Sequence, residues 1–131
     1  SVLPPQPRRG LVLIDPSYEI KDDYRRVVAA LKEGLARVPT GTYAVWYPLL
    51  QRPEPGQLVD KLKRLPVTAW LHASLSVRGP ATDGFGMHGS GLFVINPPWS
   101  LADSLRPLLP WLAGVLGEDA GATWQLEHVD V

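Results

Sequence analysis

The chain has 131 residues, 45% of them hydrophobic and 20% charged, with 13 basic and 13 acidic side chains. That is enough apolar material for one domain core and too little for two, and the even charge excludes an overall field directed at nucleic acid or membrane, leaving only local patches. The absence of cysteine excludes disulfide stapling, thiolate zinc sites and cysteine nucleophiles, and agrees with a reducing, cytoplasmic setting.

The opening SVLPPQPRRG lacks the apolar centre of a signal peptide, and no apolar stretch nears the roughly 20 residues that span a bilayer. A soluble chain with no membrane partner is expected. RRGLVLID is then a short, continuously apolar run, the pattern of a central strand covered on both faces of a parallel sheet. After the turn Asp15-Pro16-Ser17-Tyr18, a helix is expected to begin at Asp22 and Asp23. It carries Tyr24, Val27, Val28, Leu31, Leu35 and Val38 at helical spacing and stops at Pro39 and Gly41.

TYAVWYPLL reads as a second strand, and QRPEPGQ as a proline-rich loop leading to an amphipathic helix through Leu58, Val59, Leu62 and Leu65. Strand, helix, strand, helix implies right-handed crossovers and parallel pairing. VTAWLHASLSV and SGLFVIN are joined only by RGPATDGFGMHG, too short for a crossover helix, so they are expected to pair as an antiparallel hairpin. Ser100 would cap a last helix in which Pro107 and Pro110 predict a kink or break, and TWQLEHV would add an edge strand.

Candidate sites follow from this layout. Open α/β sheets place ligands at the carboxyl ends of their parallel strands, and Asp15 sits there; the competing reading is that it caps the next helix while Pro16 shapes a turn. NPPW, Asn96 to Trp99, also follows an apolar strand, but that strand is the reversed one, whose carboxyl end points to the opposite side of the sheet. It is read as a strand stop and helix lead-in with Trp99 packed. GFGMHG, Gly84 to Gly89, spells G-x-G-x-x-G but precedes a strand, whereas the dinucleotide fingerprint follows one; it is read as a mobile hairpin tip on the substrate side. His72, His88 and His128 show no metal-ligand spacing, His72 being a half-buried strand residue. No metal is expected.

Asp15-Pro16-Ser17-Tyr18 resembles the (Asp/Asn)-Pro-Pro-(Tyr/Phe) motif of S-adenosylmethionine-dependent methyltransferases that act on exocyclic amines. More specifically, RRGLVLIDPSYE, DDYRRVV, PTGTYAVWYP and GSGLFVINPPW, in that order and spacing, resemble the catalytic half of bacterial large-subunit (23S) ribosomal RNA adenine-N6 methyltransferases of the RlmJ type, over Arg8 to about Leu116. The resemblance implies an α/β fold, the second half of a Rossmann-like class I methyltransferase sheet. In it, parallel strands end in an antiparallel hairpin, with helices on both faces. Residues 1–131 would be a single partial domain from the fourth strand onward, the N-terminal cofactor-binding half being absent.

The same resemblance implies methyl transfer from S-adenosyl-L-methionine to the N6 amine of a ribosomal RNA adenine. Asp15 and Pro16 would act as catalytic acceptors, Asp15 would also touch the cofactor, and Tyr18 would stack on the extruded base. Ser17, Trp46 and Tyr47 are candidates to line the base pocket, core packing being an equal alternative for Trp46 and Tyr47. Ser17 stands where the motif has a second proline, which makes the loop less rigid. Arg8, Arg9, Arg25, Arg26 and Arg52 are candidate phosphate contacts, although a solvated role suits each alone. No glycine-rich turn for the methionine moiety and no acidic residue for the ribose precede Leu11. The first strand would therefore show a hydrophobic edge prone to self-association. The alternative is a noncatalytic α/β binding or assembly module without a cofactor site.

Overall fold

The computed structural model describes residues 10–130. Its elements run β1 (Leu11–Ile14), α1 (Asp22–Arg37), β2 (Thr42–Leu49), α2 (Pro53–Lys63), β3 (Trp70–Ser76), β4 (Gly89–Ile95), α3 (Leu101–Leu116) and β5 (Thr123–Val129). All strands join one sheet in the order β1-β2-β4-β3-β5. β1 pairs parallel with β2, while β4 runs antiparallel to both β2 and β3, and β5 antiparallel to β3. The expected hairpin is present, and its return strand lies between β2 and β3.

Helix α1 forms where its apolar residues recur every three or four positions. Asp22 and Asp23 in its first turn and Arg37 in its last complement the helix dipole. Its buried Val27 and Leu31 pack with Tyr43, Val45, Tyr47, Phe93 and Ile95 of the sheet and with Leu58 and Leu62 of α2. The other face, Ala44, Leu71, Ala73 and Val94, is covered by Leu109 of α3. Helices thus lie on both faces.

Three expectations from the sequence need correction. The proline-rich segment is not all loop, because α2 begins at Pro53; a proline in the first turn lacks an N–H that would have no partner there. Helix α3 runs through Pro107 and Pro110 without a break. The carbonyls those prolines leave unpaired belong to Asp103 and Arg106, which face solvent and can bond water. Finally, β1 is not central: it is the outermost strand, with Leu11 75% and Leu13 65% exposed on the same face as Ala44, where α3 does not extend as far as β1.

The short β1 also explains a proline inside β2. β1 pairs only as far as Val45, while the carbonyl of Leu49 accepts from His88 on the β4 side. The backbone of Pro48 therefore faces the opposite flank, where no described residue pairs with it and a missing N–H breaks no ladder bond among them.

Candidate active site

Asp15 follows the last residue of β1 and is level with Trp46 of the longer β2, so it sits at a step. β2 rises three residues further, about 10 Å at the usual rise per strand residue. Asp15 and Ser17 are exposed and Pro16 is half-buried. The competing role of helix cap is not taken up, since the N-cap position of α1 falls at Lys21, which makes no side-chain capping bond. Among the described residues neither the Asp15 carboxylate nor the Pro16 carbonyl has a hydrogen-bond or ion-pair partner. Two acceptors on consecutive residues are thus unspent within the described part of the fold.

Tyr18 holds the turn in shape and does not present an open ring. It takes a left-handed backbone (φ 58°), uncommon for an aromatic residue and a local strain. Its side chain compensates: the hydroxyl donates to the Trp46 carbonyl at 2.6 Å, and the ring packs 4.7 Å from Tyr24 and 6.3 Å from Trp46. Only 3% of Tyr18 is exposed. The expected stacking face is therefore covered, and a base reaches it only if the ring leaves this packing. Burial, reinforced by Tyr24 and Asp15, pushes its phenol well above the usual tyrosine range.

The two neighbours from β2 separate. Trp46 is half-buried beside the Asp15 turn, whereas Tyr47 is a core residue, with its phenol pushed up to about 12 by burial and by Glu127. Tyr47 begins a polar chain that the sequence did not disclose. Its hydroxyl lies 2.5 Å from Nε2 of His72, Nδ1 of His72 lies 2.9 Å from the Glu127 carboxylate, and Lys63 pairs with Glu127 at 2.6 Å. His72 is fully buried, not half-buried. Lys63 and His72 hold the Glu127 carboxyl below its ordinary range. The only sequence signal was a shared period of two, useless without the register. Gly91 makes room for this chain, since a Cβ there would lie 2.1 Å from the Tyr47 ring.

In NPPW, Asn96 is bonded into the fold. Asn96, also left-handed at φ 53°, donates from Nδ2 to the carbonyls of Pro39 and Gly41 at 2.9 and 2.8 Å, and its own carbonyl accepts from the Thr42 hydroxyl at 2.7 Å. It closes the end of the sheet opposite Asp15. Trp99 is not packed as expected but 92% exposed. A cavity of about 560 Å³ lined by Lys32, Leu35, Pro39, Leu65, Val67 and Asn96 lies at that same far end.

Of the candidate phosphate contacts, Arg8 and Arg9 lie outside the described residues. Arg25 and Arg26 are both paired with Asp22, while Arg52 is exposed and makes no ion pair with a described residue. Among the described residues no group of three or more His, Asp or Glu gathers as a metal site, and no helix is long and apolar enough to cross a membrane.

Fold and site together define an α/β protein that displays an acidic, proline-locked turn at the carboxyl end of a parallel strand. The family model described as ribosomal RNA large subunit methyltransferase D, RlmJ, matches residues 1–129, and the chain belongs to that family. It is 44% identical over 129 residues to ribosomal RNA large subunit methyltransferase J of Haemophilus influenzae, covering 98% of this chain and 46% of the relative. It is 46% identical over 110 residues to the Escherichia coli protein of the same name, covering 84% and 39%. The crystal structure of protein LPL1258 from Legionella pneumophila superposes with a TM-score of 0.86 at 29% identity, over 98% of this chain and 47% of that one. The chain thus spans about half the length of the relatives it matches.

Proposed function

We propose that this chain forms the acceptor-binding half of an S-adenosylmethionine-dependent methyltransferase acting on the N6 amine of an adenine in large-subunit ribosomal RNA. One observation carries the reading: within a chain of the RlmJ family, the Asp15 carboxylate and the Pro16 carbonyl have no partner among the described residues at the end of a parallel strand. The amine of adenine is a poor nucleophile because its lone pair is delocalised into the ring. Two acceptors that take its two N–H groups favour a pyramidal nitrogen whose lone pair points away from the ring plane. Asp15 supplies one and stabilises positive charge growing on the nitrogen, and Pro16 supplies the other from a fixed φ. As the new C–N bond forms and the S–C bond breaks, the surplus proton passes to the exposed Asp15 carboxylate and on to water.

The donor, when bound, supplies an electrophilic methyl group on a cationic sulfonium. The residues present fit it along one wall only, where Asp15 bears the charge opposite to the sulfonium. The nucleoside and methionine moieties are assigned to polypeptide beyond this chain, paired along the free edge of β1 and covering Leu11 and Leu13. By the same logic the isolated chain is expected to self-associate through that edge. A concentration-independent monomer by gel filtration and light scattering would count against this. Tyr18 acts here as a positioning residue that aims the turn, and base stacking on it requires release from the Trp46 carbonyl.

The decisive experiment uses the intact polypeptide carrying this sequence, with labelled S-adenosylmethionine and unmodified large-subunit RNA, followed by nucleoside analysis. Label in N6-methyladenosine, lost in Asp15→Ala, supports the reading. Undiminished transfer by Asp15→Ala overturns it. No transfer by the wild type, with no donor binding in calorimetry, favours the noncatalytic module.

A further inference from the structure

The segment between β3 and β4, residues 77–88, emerges at the same end of the sheet as Asp15, because the last residue of β2, Leu49, pairs with Gly89. Its stem is braced. Arg78 bonds the Met87 carbonyl at 2.7 Å and pairs with Glu118, and Gln51 donates to the Ala81 carbonyl at 2.8 Å. The tip is different: Phe85 is 76% exposed between Gly84 and Gly86, both at positive φ (79° and 92°). Asp83 is occupied with the Phe85 N–H at 2.9 Å, so the carboxylate at the tip is turned onto the loop itself.

A phenyl ring held in water on a braced stem loses the gain of burial unless something covers it. Beneath it lies a cleft of about 250 Å³ lined by Leu50, Gln51, Arg52, Gly84, Phe85 and Gly86, smaller than the roughly 300–1,000 Å³ of pockets for drug-sized ligands and in scale with one planar ring. The cation in it is Arg52, which has no ion-pair partner among the described residues. An aromatic face, an arginine and a small cleft between them are what single-stranded RNA needs: bases stack on aromatic side chains and phosphates meet arginine.

We infer that Phe85 and Arg52 form a subsite for an unpaired nucleotide of the RNA strand, distinct from the acceptor pair and above it, Phe85 stacking on the base and Arg52 meeting the backbone. This inference rests on the RNA-methylating reading above and adds to it where the substrate strand runs. Phe85 is exposed, so its replacement leaves folding intact, which thermal melting verifies.

The test measures binding of the intact polypeptide to a short oligoadenylate carrying one 2-aminopurine, by fluorescence, alongside KM and kcat for RNA methylation. Phe85→Ala is expected to weaken binding and raise KM about ten-fold or more while kcat at saturating RNA stays within about two-fold of wild type. Phe85→Trp should keep the affinity and Phe85→Leu should lose it, because stacking, not apolar bulk, is required. Arg52→Ala should lower the slope of log Kd against log salt by about 0.7. Unchanged affinity in Phe85→Ala, or wild-type affinity in Phe85→Leu, overturns the subsite and leaves methylation by Asp15 standing. Conversely, Phe85-dependent binding by a wild type that methylates no RNA preserves the subsite and removes the catalytic reading.

Discussion

Two turns in this chain are spelled almost alike, Asp15-Pro16-Ser17-Tyr18 and Asn96-Pro97-Pro98-Trp99, and the structure uses them in opposite ways. Each follows an apolar strand and contains a non-glycine residue in the left-handed region. At Asn96 the side-chain amide donors and both backbone groups are used within the fold, Nδ2 by the Pro39 and Gly41 carbonyls, the N–H by the Ala69 carbonyl and the carbonyl by the Thr42 hydroxyl. At Asp15 the strain and the hydrogen bonding are displaced onto Tyr18, and the acceptors before it have no partner among the described residues. A motif is therefore told from its imitation by which polar atoms are left unspent.

The comparison breaks most sharply if Asp15→Ala retains activity. Loss of at least about 10³-fold in methyl transfer is expected, the scale of removing a charge-stabilising or proton-accepting group, with stability shifted by no more than about 0.5 kcal/mol as for other exposed sites. Asn96→Ala should show the reverse. Losing two hydrogen bonds at a left-handed position should cost about 2–4 kcal/mol in urea unfolding, while activity per folded molecule is kept; a wild-type unfolding midpoint would contradict the structural role.

A smaller effect is expected from Tyr18→Phe, which deletes the bond to Trp46 but keeps the ring: about 1 kcal/mol of stability and a looser Asp15 turn, visible as faster amide exchange at residues 15–19. The smallest is a pH effect confined to one turn. Burial raises the Tyr18 phenol above the model-compound value of 10.0, so the stability tied to its proton is fully present below pH 10 and declines as pH rises beyond it. Asn96 and its partners Pro39, Gly41 and Thr42 carry no titratable side chain. Hence Tyr18→Phe should be less stable than wild type at neutral pH and close the gap above pH 10, while Asn96→Ala keeps a constant deficit; parallel curves would sink the distinction.

Much of this was legible in the sequence wherever a local rule decided the outcome. The period of Val27, Leu31 and Leu35 defined α1, the short connection forced the hairpin, and the direction of the reversed strand placed Asn96 at the end of the sheet opposite Asp15. Long-range partners decided the rest. That β1 ends as a rim depends on what pairs beside it, which an apolar run does not encode. The fate of the Tyr18 ring depends on Tyr24 and on a carbonyl 28 residues away, and the motif shows only that an aromatic is present. Pro107 and Pro110 warn of a broken helix only until it is known that the carbonyls they orphan face water.

Pro48 has a consequence for how the acidic turn can evolve. It withholds a backbone donor while keeping its carbonyl on the flank where β1 stops, so a strand lengthened past Ile14 would find one ladder bond missing as it paired upward along β2. Closure of the recess over Asp15 by the chain's own growth is thereby disfavoured, because an imino acid on one strand weakens pairing by the neighbouring one.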